Sequence, residues 1–263
     1  MEVIYINLEN ILQDLKKVVI KIGEYQLKNL NTDLSIKRKS SAIDLVSEID
    51  KNSEKMIIEW IDNNFPKHNI IAEEQGSTDN DSKYTWVIDP LDGTTNYIHG
   101  FPIFSISIAL MKEEKPILGI IYAPYLDELY YAIENKGAYL NEKRVYISNE
   151  NSLIDSLLVT GFPYDFKNNK YNNIDVFNSL ILKSQGIRRI GSAAYDLAAV
   201  ACGSFDGFWE FKLNPWDIKA GVIIVKEAGG TVIETDFKGN GLIIAGSDEI
   251  TKKIMKEINK VYG

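Results

Sequence analysis

The sequence Asp89-Pro-Leu-Asp-Gly-Thr-Thr-Asn96 decides how this chain is interpreted. The run before it, residues 84–88, is short, apolar and rich in β-forming residues, which predicts a buried strand. The motif therefore lies at the carboxyl end of a strand, where open α/β sheets place ligands. Its carboxylates, carbonyl and hydroxyls are hard oxygen donors that suit Mg²⁺. Because the amides of Gly93 and Thr94 can face an anion, the motif predicts a magnesium site that handles phosphate.

Composition is that of a soluble globular chain. The 263 residues are 45% hydrophobic and 25% charged, which is enough apolar material for a large buried core. The net charge of −8 argues against a nucleic-acid-binding surface. An acidic protein that acts on an anionic substrate needs cations to mediate between protein and substrate, which agrees with a metal site. Cys202 is the only cysteine, so no intrachain disulfide is expected. Neither a membrane span nor a signal-peptide layout is visible, so we expect a cytoplasmic protein.

Periodicity divides the chain into two halves. Apolar residues recur at helical spacing from Leu8 to Ile22, and a second helix is predicted over about 47–64, before Phe65-Pro66. Residues 75–83 are predicted to be a polar loop. Strands are predicted at 70–72, 84–88, 104–111, 117–122, 128–133, 157–160, 187–190 and 208–211, with helices at 174–183, 193–201 and from 215 to about 229. We expect an α+β half over residues 1–145 and an α/β half over residues 146–263.

The predicted strand at 104–111 alternates large apolar residues with serine and alanine. Because successive side chains on a strand point to opposite faces, this alternation predicts one strongly apolar face.

Four carboxylates follow or cap elements that look buried: Glu73, Asp89, Asp92 and Asp217. Each has a simpler interpretation alone, namely a solvated loop, side-chain bonds within a turn, or a charge that complements a helix start. Buried carboxylates are nevertheless unusual unless they are paired or bound to metal. Together the four suit two Mg²⁺ ions that activate a water and stabilise the leaving oxygen of a phosphate ester, with Asp89 between the ions.

Weaker signals lie elsewhere in the chain. The turn Gly191-Ser192-Ala193 opens a helix, so its amides either hold an anion or hydroxyl or simply allow close packing. Arg188 and Arg189 precede it and could reach a second substrate charge or a subunit interface. Glu210 alternates with aromatic residues. It is either the exposed position of an edge strand or an acceptor of a hydrogen bond from a substrate hydroxyl. Lys39 belongs to a basic run that is either solvated or close to the site.

The motif at 89–96 resembles the first motif of the inositol monophosphatase family. Trp216-Asp-Ile-Lys-Ala-Gly221, followed by Glu227-Ala-Gly-Gly230, resembles the second motif of that family. Other matching positions are the Glu73-Glu74 pair, the Lys39-Ser-Ser segment, Asp44, Asp50 and Gly191-Ser-Ala193. The resemblance covers nearly the whole chain.

The resemblance implies a layered αβαβα sandwich of the sugar phosphatase type. It also implies hydrolysis of inositol 1-phosphate by a metal-activated water, two or three Mg²⁺ ions, inhibition by lithium and a homodimer. The implied metal ligands are Glu73, Asp89, the carbonyl of Leu91, Asp92 and Asp217.

The resemblance implies further roles around these ligands. Glu73 and Thr95 would orient the attacking water, with Asp50 accepting a hydrogen bond from Thr95. Glu74 would support the metal shell, and Lys39 would lie near a third, weaker Mg²⁺. The implied substrate contacts are Asp92, Gly93, Thr94, Gly191, Ser192, Ala193, Glu210 and Asp217.

One departure and several alternatives stay open. Lys219 stands where the family commonly has alanine, so it is either exposed or a second charge in the pocket. The substrate could instead be fructose 1,6-bisphosphate, with Arg188, Arg189 or Lys219 receiving the distal phosphate, or a nucleotide 3′-phosphate. An aspartyl-phosphate enzyme is disfavoured, because two residues rather than one separate the aspartates at 89 and 92. A regulatory binding protein on the same fold is the alternative from another class.

Overall fold

The computed structural model of the chain describes residues 6–30, 37–38, 45–46, 48–165 and 167–263. Lys39 and Asp44 lie outside these residues. The helices of the described part are α1 (Leu8–Asn29), α2 (Glu48–Asn64), α3 (Thr94–Ile98), α4 (Ile174–Ile181), α5 (Ala193–Ala201), α6 (Pro215–Glu227) and α7 (Asp248–Tyr262), with a 3₁₀ turn at Leu153–Asp155.

The strands fall into three sheets. Their bounds are β1 (Lys37–Arg38), β2 (Leu45–Val46), β3 (Asn69–Ala72), β4 (Gly76–Thr78), β5 (Tyr84–Asp92), β6 (Ser105–Lys112), β7 (Lys115–Ala123), β8 (Glu128–Ile133), β9 (Gly137–Leu140), β10 (Lys143–Val145), β11 (Leu157–Thr160), β12 (Gly186–Arg188), β13 (Gly207–Phe211), β14 (Thr231–Phe237) and β15 (Asn240–Gly246). β1 and β2 form a two-stranded pair. β4 lies within residues 75–83, so the prediction of a loop throughout that stretch was wrong.

Helices α1 and α2 cover one face of the first large sheet. The helical periodicity of α1 is confirmed, because Leu15, Val19 and Ile22 are buried in a cluster with the sheet. The side chain of Asn7 begins the helix by accepting a hydrogen bond from the amide of Asn10 at 3.0 Å. These two helices form the outermost layer of the N-terminal half.

The first large sheet has the order β10-β9-β8-β7-β6-β5-β3-β4 and is antiparallel except where β3 runs parallel to β5. The strongly apolar face predicted for the strand at 104–111 is confirmed, because Ile106, Ile108 and Leu110 are buried. Ser105, Ser107 and Ala109 are as buried as the large apolar residues between them. The reason is that α6 of the C-terminal half packs against the second face of this sheet.

The second large sheet has the order β12-β11-β13-β15-β14. β11 runs parallel to β12 and β13, whereas β14 and β15 are antiparallel additions. Helices α5 and α6 lie between the two sheets, and α4 and α7 cover the outer face of the second sheet. The layers are therefore helix, sheet, helix, sheet, helix, which confirms the αβαβα sandwich.

The core between the sheets draws on both halves of the chain. Ile121 of β7 and Ile223 of α6 are buried in one continuous cluster. The boundary near residue 145 stays a prediction, since the two halves share this core. Among the described residues, no helix has the length and apolar character that a bilayer crossing requires.

Candidate active site

The end of β5 carries two acidic residues into one cleft. Asp89 pairs with Ser107 of β6, but Asp92 pairs with Ser105, so one extra residue on β5 forms a bulge. Residues three apart on a regular strand face opposite sides, and the extra residue brings them to the same side. Both aspartates line the cleft, with Asp89 buried and its Oδ1 accepting a hydrogen bond from the Leu91 amide at 3.0 Å.

Asp92 connects the N-terminal half to the start of α5. Its Oδ2 accepts hydrogen bonds from Ser192 Oγ at 2.6 Å and from the Ala194 amide at 2.8 Å. Burial raises the pKa of Asp92, and the hydrogen bonds from Ser192 and the first amides of α5 oppose that rise. The positive end of a helix thus faces this carboxylate. Ser192 belongs to the acid's own hydrogen-bond shell as well as to the cleft wall.

Gly93 turns the chain from β5 into the short helix α3. Its φ of +89° lies in the left-handed region, and a Cβ there would come within 3.2 Å of the carbonyl oxygens of Gly191 and Ile103. Only glycine allows the backbone at residue 93 to pack this closely against the carbonyl oxygens of Gly191 and Ile103. The backbone of Gly93 and the first amide of α3 therefore stand at the cleft, as the sequence predicts for an anion-binding turn.

The hydroxyl bonded to Asp50 belongs to Thr94, so the expected bond from Thr95 was wrong. Thr94 Oγ1 lies 3.2 Å from Asp50 Oδ2 and 3.0 Å from the carbonyl oxygen of Leu91. Thr94 lines the cleft, whereas the side chain of Thr95 is exposed outside it. Consecutive helical residues point about 100° apart, and the phase of a five-residue helix is set by how Gly93 begins it.

A buried glutamate on α2 holds the loop that carries Glu73 and Glu74. The two carboxylate oxygens of Glu54 accept hydrogen bonds from the amides of Glu74 and Gln75, both at 2.8 Å. As a result, oxygen atoms of Asp50, Glu73 and Glu74 lie within 4.8 Å of one another. Glu73 lines the cleft beside Asp89.

Asp217 enters the cleft from the first turn of α6. Asn214 and Asp217 form a capping box, in which Asp217 Oδ2 accepts a hydrogen bond from the Asn214 amide at 2.6 Å. Burial raises the pKa of Asp217 well above the usual range, and the neighbouring charges of Asp92 and Glu73 raise it further. Asp217 therefore caps the start of α6 and also lines the cleft, and its role as a metal ligand stays a prediction.

The donor set fits hard divalent cations. Burial raises the pKa of Asp89 well above the usual range, with further contributions from Glu73, Asp92, Asp217 and Asp50. Such convergent carboxylates repel one another unless cations or protons neutralise them. The described residues that line the cleft include no histidine or cysteine, so the available ligands are oxygen atoms. Mg²⁺ and similar ions are bound by this chemistry.

The wall opposite the acidic cluster is formed by the C-terminal half. Glu210 on β13 is buried, and burial raises its pKa to about 8, with Asp217 also raising it and Arg189 lowering it. Gly161 packs directly on the carboxylate, since a Cβ there would lie 2.3 Å from Glu210 Oε1. Asp196 of α5 also lines this wall and is buried.

The expected site residues separate into two groups. Those that line the cleft are Glu73, Asp89, Leu91, Asp92, Gly93, Thr94, Arg189, Gly191, Ser192, Ala193, Glu210 and Asp217. Arg188 is exposed outside the lining, and its guanidinium bonds the carbonyl of Ile187 at 3.4 Å. Lys219 is partly buried in an ion pair with Glu234 of β14 and does not line the cleft, which disfavours a pocket charge.

Sequence reasoning missed several residues that build the site. Glu54 is one, although its position four residues after Asp50 on the buried face of α2 was a usable signal. Gln26 is another, because its buried amide donates to the carbonyl of Pro90 at 2.9 Å and so holds the bulge of β5. Gly161 and Lys212 had no local signal, since their roles depend on contacts with distant segments.

Nearly the whole chain matches one family model. Residues 7–261 match the model of the inositol monophosphatase family. This chain belongs to that family, whose members are metal-dependent phosphoric monoester hydrolases. The resemblance drawn from the motifs is thereby confirmed.

Relatives carry three kinds of name. The fructose-1,6-bisphosphatase/inositol-1-monophosphatase of Aquifex aeolicus is 44% identical over 219 residues, covering 82% of this chain and 83% of the relative. The Nus factor SuhB of Pasteurella multocida is 42% identical, covering 91% of this chain and 90% of the relative. The solved structure of the inositol monophosphatase from Anabaena is similar with a TM-score of 0.87 and 39% identity, covering 97% of this chain and 98% of that one.

Proposed function

We propose that this protein hydrolyses inositol 1-phosphate to inositol and phosphate, with Mg²⁺ as its cofactor. The observation that carries the proposal is the convergence of carboxylates from β5, α6 and the loop after β3 in one cleft. These side chains come from separate parts of the chain and are buried close together, so their negative charges repel one another. Bound cations would offset that repulsion. The names of the relatives from Aquifex and Anabaena support the substrate class.

Two or three Mg²⁺ ions would be held by Glu73, Asp89, the Leu91 carbonyl, Asp92 and Asp217. When bound, such ions lower the pKa of a water and offset the charge of a phosphate ester.

The chain's own residues would orient the reactants. Thr94 Oγ1 donates a hydrogen bond to Asp50 or to the Leu91 carbonyl, so its lone pairs could accept a hydrogen bond from the attacking water. Glu73 would accept the second hydrogen bond of that water. No protein nucleophile is required, because the water attacks phosphorus directly.

Substrate recognition would use both halves of the chain. The Gly93 and Thr94 amides would bind phosphate oxygens at the start of α3. Glu210 would accept a hydrogen bond from a ring hydroxyl, and the turn from Gly191 to Ala193 would contact the same ring. Glu74 would support the ligand shell of the metal.

Phosphate release from inositol 1-phosphate, measured with Mg²⁺ and with EDTA, tests the proposal. Asp217→Asn should lower kcat/KM at least about 100-fold, because metal and electrostatic contributions dominate phosphoryl transfer. Asp248→Asn is the matched control, since Asp248 also begins a helix but is exposed and pairs with Lys252. Equal activity of the two variants would refute the ligand role of Asp217.

A homodimer and inhibition by lithium stay predictions. Sedimentation equilibrium and a LiCl titration of the activity would check them.

A regulatory binding role is the second candidate, favoured by the relatives named Nus factor SuhB. Asp92→Asn should abolish hydrolysis, since its carboxylate is one of the proposed metal ligands and lines the cleft. If a strain lacking the protein were complemented by that inactive variant, the binding role would be favoured. Failure to complement, together with loss of hydrolysis, would favour the enzymatic role.

A further inference from the structure

One peptide group in the bulge of β5 is held at both ends by side chains. The carbonyl oxygen of Pro90 accepts a hydrogen bond from Gln26 Nε2 at 2.9 Å. The amide of Leu91 donates a hydrogen bond to Asp89 Oδ1 at 3.0 Å. The pairing of β5 with β6 skips from Asp89 to Asp92, so this peptide lies outside the hydrogen-bond ladder of the sheet. Its orientation therefore depends on the two side-chain contacts.

The Pro90–Leu91 peptide connects Gln26 to two of the proposed metal ligands. Its amide orients one oxygen of Asp89, which leaves the lone pairs of the other oxygen available to a cation. The carbonyl of Leu91 follows in the same residue and accepts a hydrogen bond from Thr94 Oγ1 at 3.0 Å. Rotation of this peptide would withdraw the amide from Asp89 and displace both ligands together.

Gln26 lies in the last turn of α1 and is fully buried. Its nitrogen must be the atom that faces Pro90, because a carbonyl oxygen can only accept a hydrogen bond. The same nitrogen lies 3.2 Å from Ser53 Oγ on α2. The main-chain carbonyl of Gln26 is one of the last four of α1, which lack a partner within the helix, and it accepts a hydrogen bond from the Tyr97 hydroxyl at 2.7 Å. Helix α1 is thus joined at two points to the segment that carries Asp89.

Stability alone does not account for the amide of Gln26. Within the described part of the chain, its buried Oε1 has no hydrogen-bond partner. Burial of an unpaired oxygen opposes the gain from the bond to Pro90. Buried polar groups that are only partly satisfied call for an explanation beyond packing. Gln26 itself does not line the cleft, so any effect on the site acts through the peptide that it holds.

We propose that Gln26 is a positioning residue that sets the Mg²⁺ affinity of the cleft by fixing the Pro90–Leu91 peptide and, through it, the carboxylate of Asp89. The inference rests on the metal site of the proposed function, but it concerns metal binding and is independent of which substrate is cleaved. Partners that orient a metal ligand commonly change metal affinity by 10- to 100-fold when they are lost.

A matched pair of variants separates this role from simple anchoring of α1. Gln26→Met keeps the length of the side chain and removes the amide. Tyr97→Phe removes a hydrogen bond between α1 and the same segment but leaves the Pro90–Leu91 peptide held. Calorimetric titration with MgCl₂ in the absence of substrate measures the Mg²⁺ dissociation constant. Thermal unfolding in EDTA measures the stability of each variant without metal.

We expect Gln26→Met to raise the Mg²⁺ dissociation constant at least about tenfold. Its Tm in EDTA should stay within about 2 °C of the wild type, because the unpaired Oε1 is removed while the carbonyl of Pro90 loses its partner. Tyr97→Phe should lower the Tm in EDTA by about 2–4 °C and leave the dissociation constant within about twofold. In hydrolysis, Gln26→Met should need about ten times more Mg²⁺ for half-maximal rate, with kcat at saturating Mg²⁺ within about threefold of the wild type.

Two results would overturn the inference. One is wild-type Mg²⁺ affinity in Gln26→Met, and the other is an equal loss of affinity in Tyr97→Phe, since general loosening of α1 would then be the cause. Gln26→Leu, which also lacks the amide, repeats the comparison if the methionine variant does not fold.

Failure of the proposed function would be recognised separately, because the titration contains no substrate. A wild type that binds Mg²⁺ but releases no phosphate from inositol 1-phosphate would refute the proposed substrate, and the dissociation constants would still decide the role of Gln26. A wild type that binds no Mg²⁺ would overturn the inference, whatever it hydrolyses.

Discussion

Replacement of Gly161 by alanine tests how the cleft recognises substrate hydroxyls. The new Cβ would lie 2.3 Å and 2.4 Å from the two carboxylate oxygens of Glu210, whereas ordinary contacts begin near 3.4 Å. Gly161 directly follows β11 and Glu210 lies in β13, so the side chain rather than the backbone has to give way. The carboxylate must retreat by about 1 Å, which is enough to break a hydrogen bond of normal length. We expect the variant to fold, since the end of a flexible side chain absorbs the clash.

The size of the effect follows from the hydrogen bond that is lost. A bond to a neutral carboxyl contributes about 1 kcal/mol, and a bond to a carboxylate about 2 kcal/mol. With the pKa of Glu210 raised to about 8, the neutral form dominates near pH 7. The expected loss in kcat/KM for inositol 1-phosphate is therefore about fivefold near neutrality and up to about 30-fold at higher pH.

Steady-state kinetics with two comparisons would check this reasoning. Gly241→Ala is the control for an added methyl group, because a Cβ at that position of β15 meets nothing within 4 Å. In a Glu210→Ala background, the change at Gly161 should have no further effect on kcat/KM. Wild-type activity of Gly161→Ala, or an equal loss in the Glu210→Ala background, would refute the proposed contact.

Two further predictions concern the acidic cluster and the water. Without metal, the free energy of unfolding should fall on the order of 3 kcal/mol between about pH 4.5 and 8, because the native state keeps a proton on Glu210 that the unfolded chain releases. The raised pKa of Asp89 acts in the same direction. Urea denaturation in EDTA and in Mg²⁺ measures the free energy of unfolding at each pH. The stabilisation by Mg²⁺ should grow over the same pH range. A free energy of unfolding that rises with pH in EDTA would contradict the prediction. Thr94→Val should lower kcat about tenfold with little change in the Mg²⁺ requirement, corresponding to about 1.4 kcal/mol of barrier. The same change at Thr95, which is exposed on the same short helix, should stay within about twofold, and the reverse order of effects would restore Thr95 as the water-orienting residue.

The sequence was most informative where one local pattern carries the meaning. The apolar periodicity of α1 predicted a helix with the correct buried face, since 3.6-residue spacing depends only on the helix itself. The motif beginning at Asp89 predicted hard oxygen donors at a strand end, and Asp217 was placed correctly near the start of α6. The family and the layered fold were likewise predicted from motifs and are confirmed.

Local patterns failed where a second segment decides the environment. The alternation on β6 predicted one strongly apolar face but not the burial of Ser105 and Ser107, which α6 covers from the other half of the chain. The threonine that bonds Asp50 was misassigned by one residue, because the phase of α3 is fixed by the left-handed turn at Gly93. Neither fact can be read from the residues nearest in sequence.

By itself, the sequence determined the chemical elements of this protein: the carboxylates, the glycine turn, the alternation of strands and helices, and the family. Tertiary structure decided how these elements are used. Asp92 accepts a hydrogen bond from the amide of Ala194, 102 residues away in sequence. Glu54 accepts a hydrogen bond from the amide of Glu74, and Lys212 forms an ion pair with Asp165. The physical reason is that these hydrogen bonds and ion pairs join segments that only the packing of two sheets around α5 and α6 brings together.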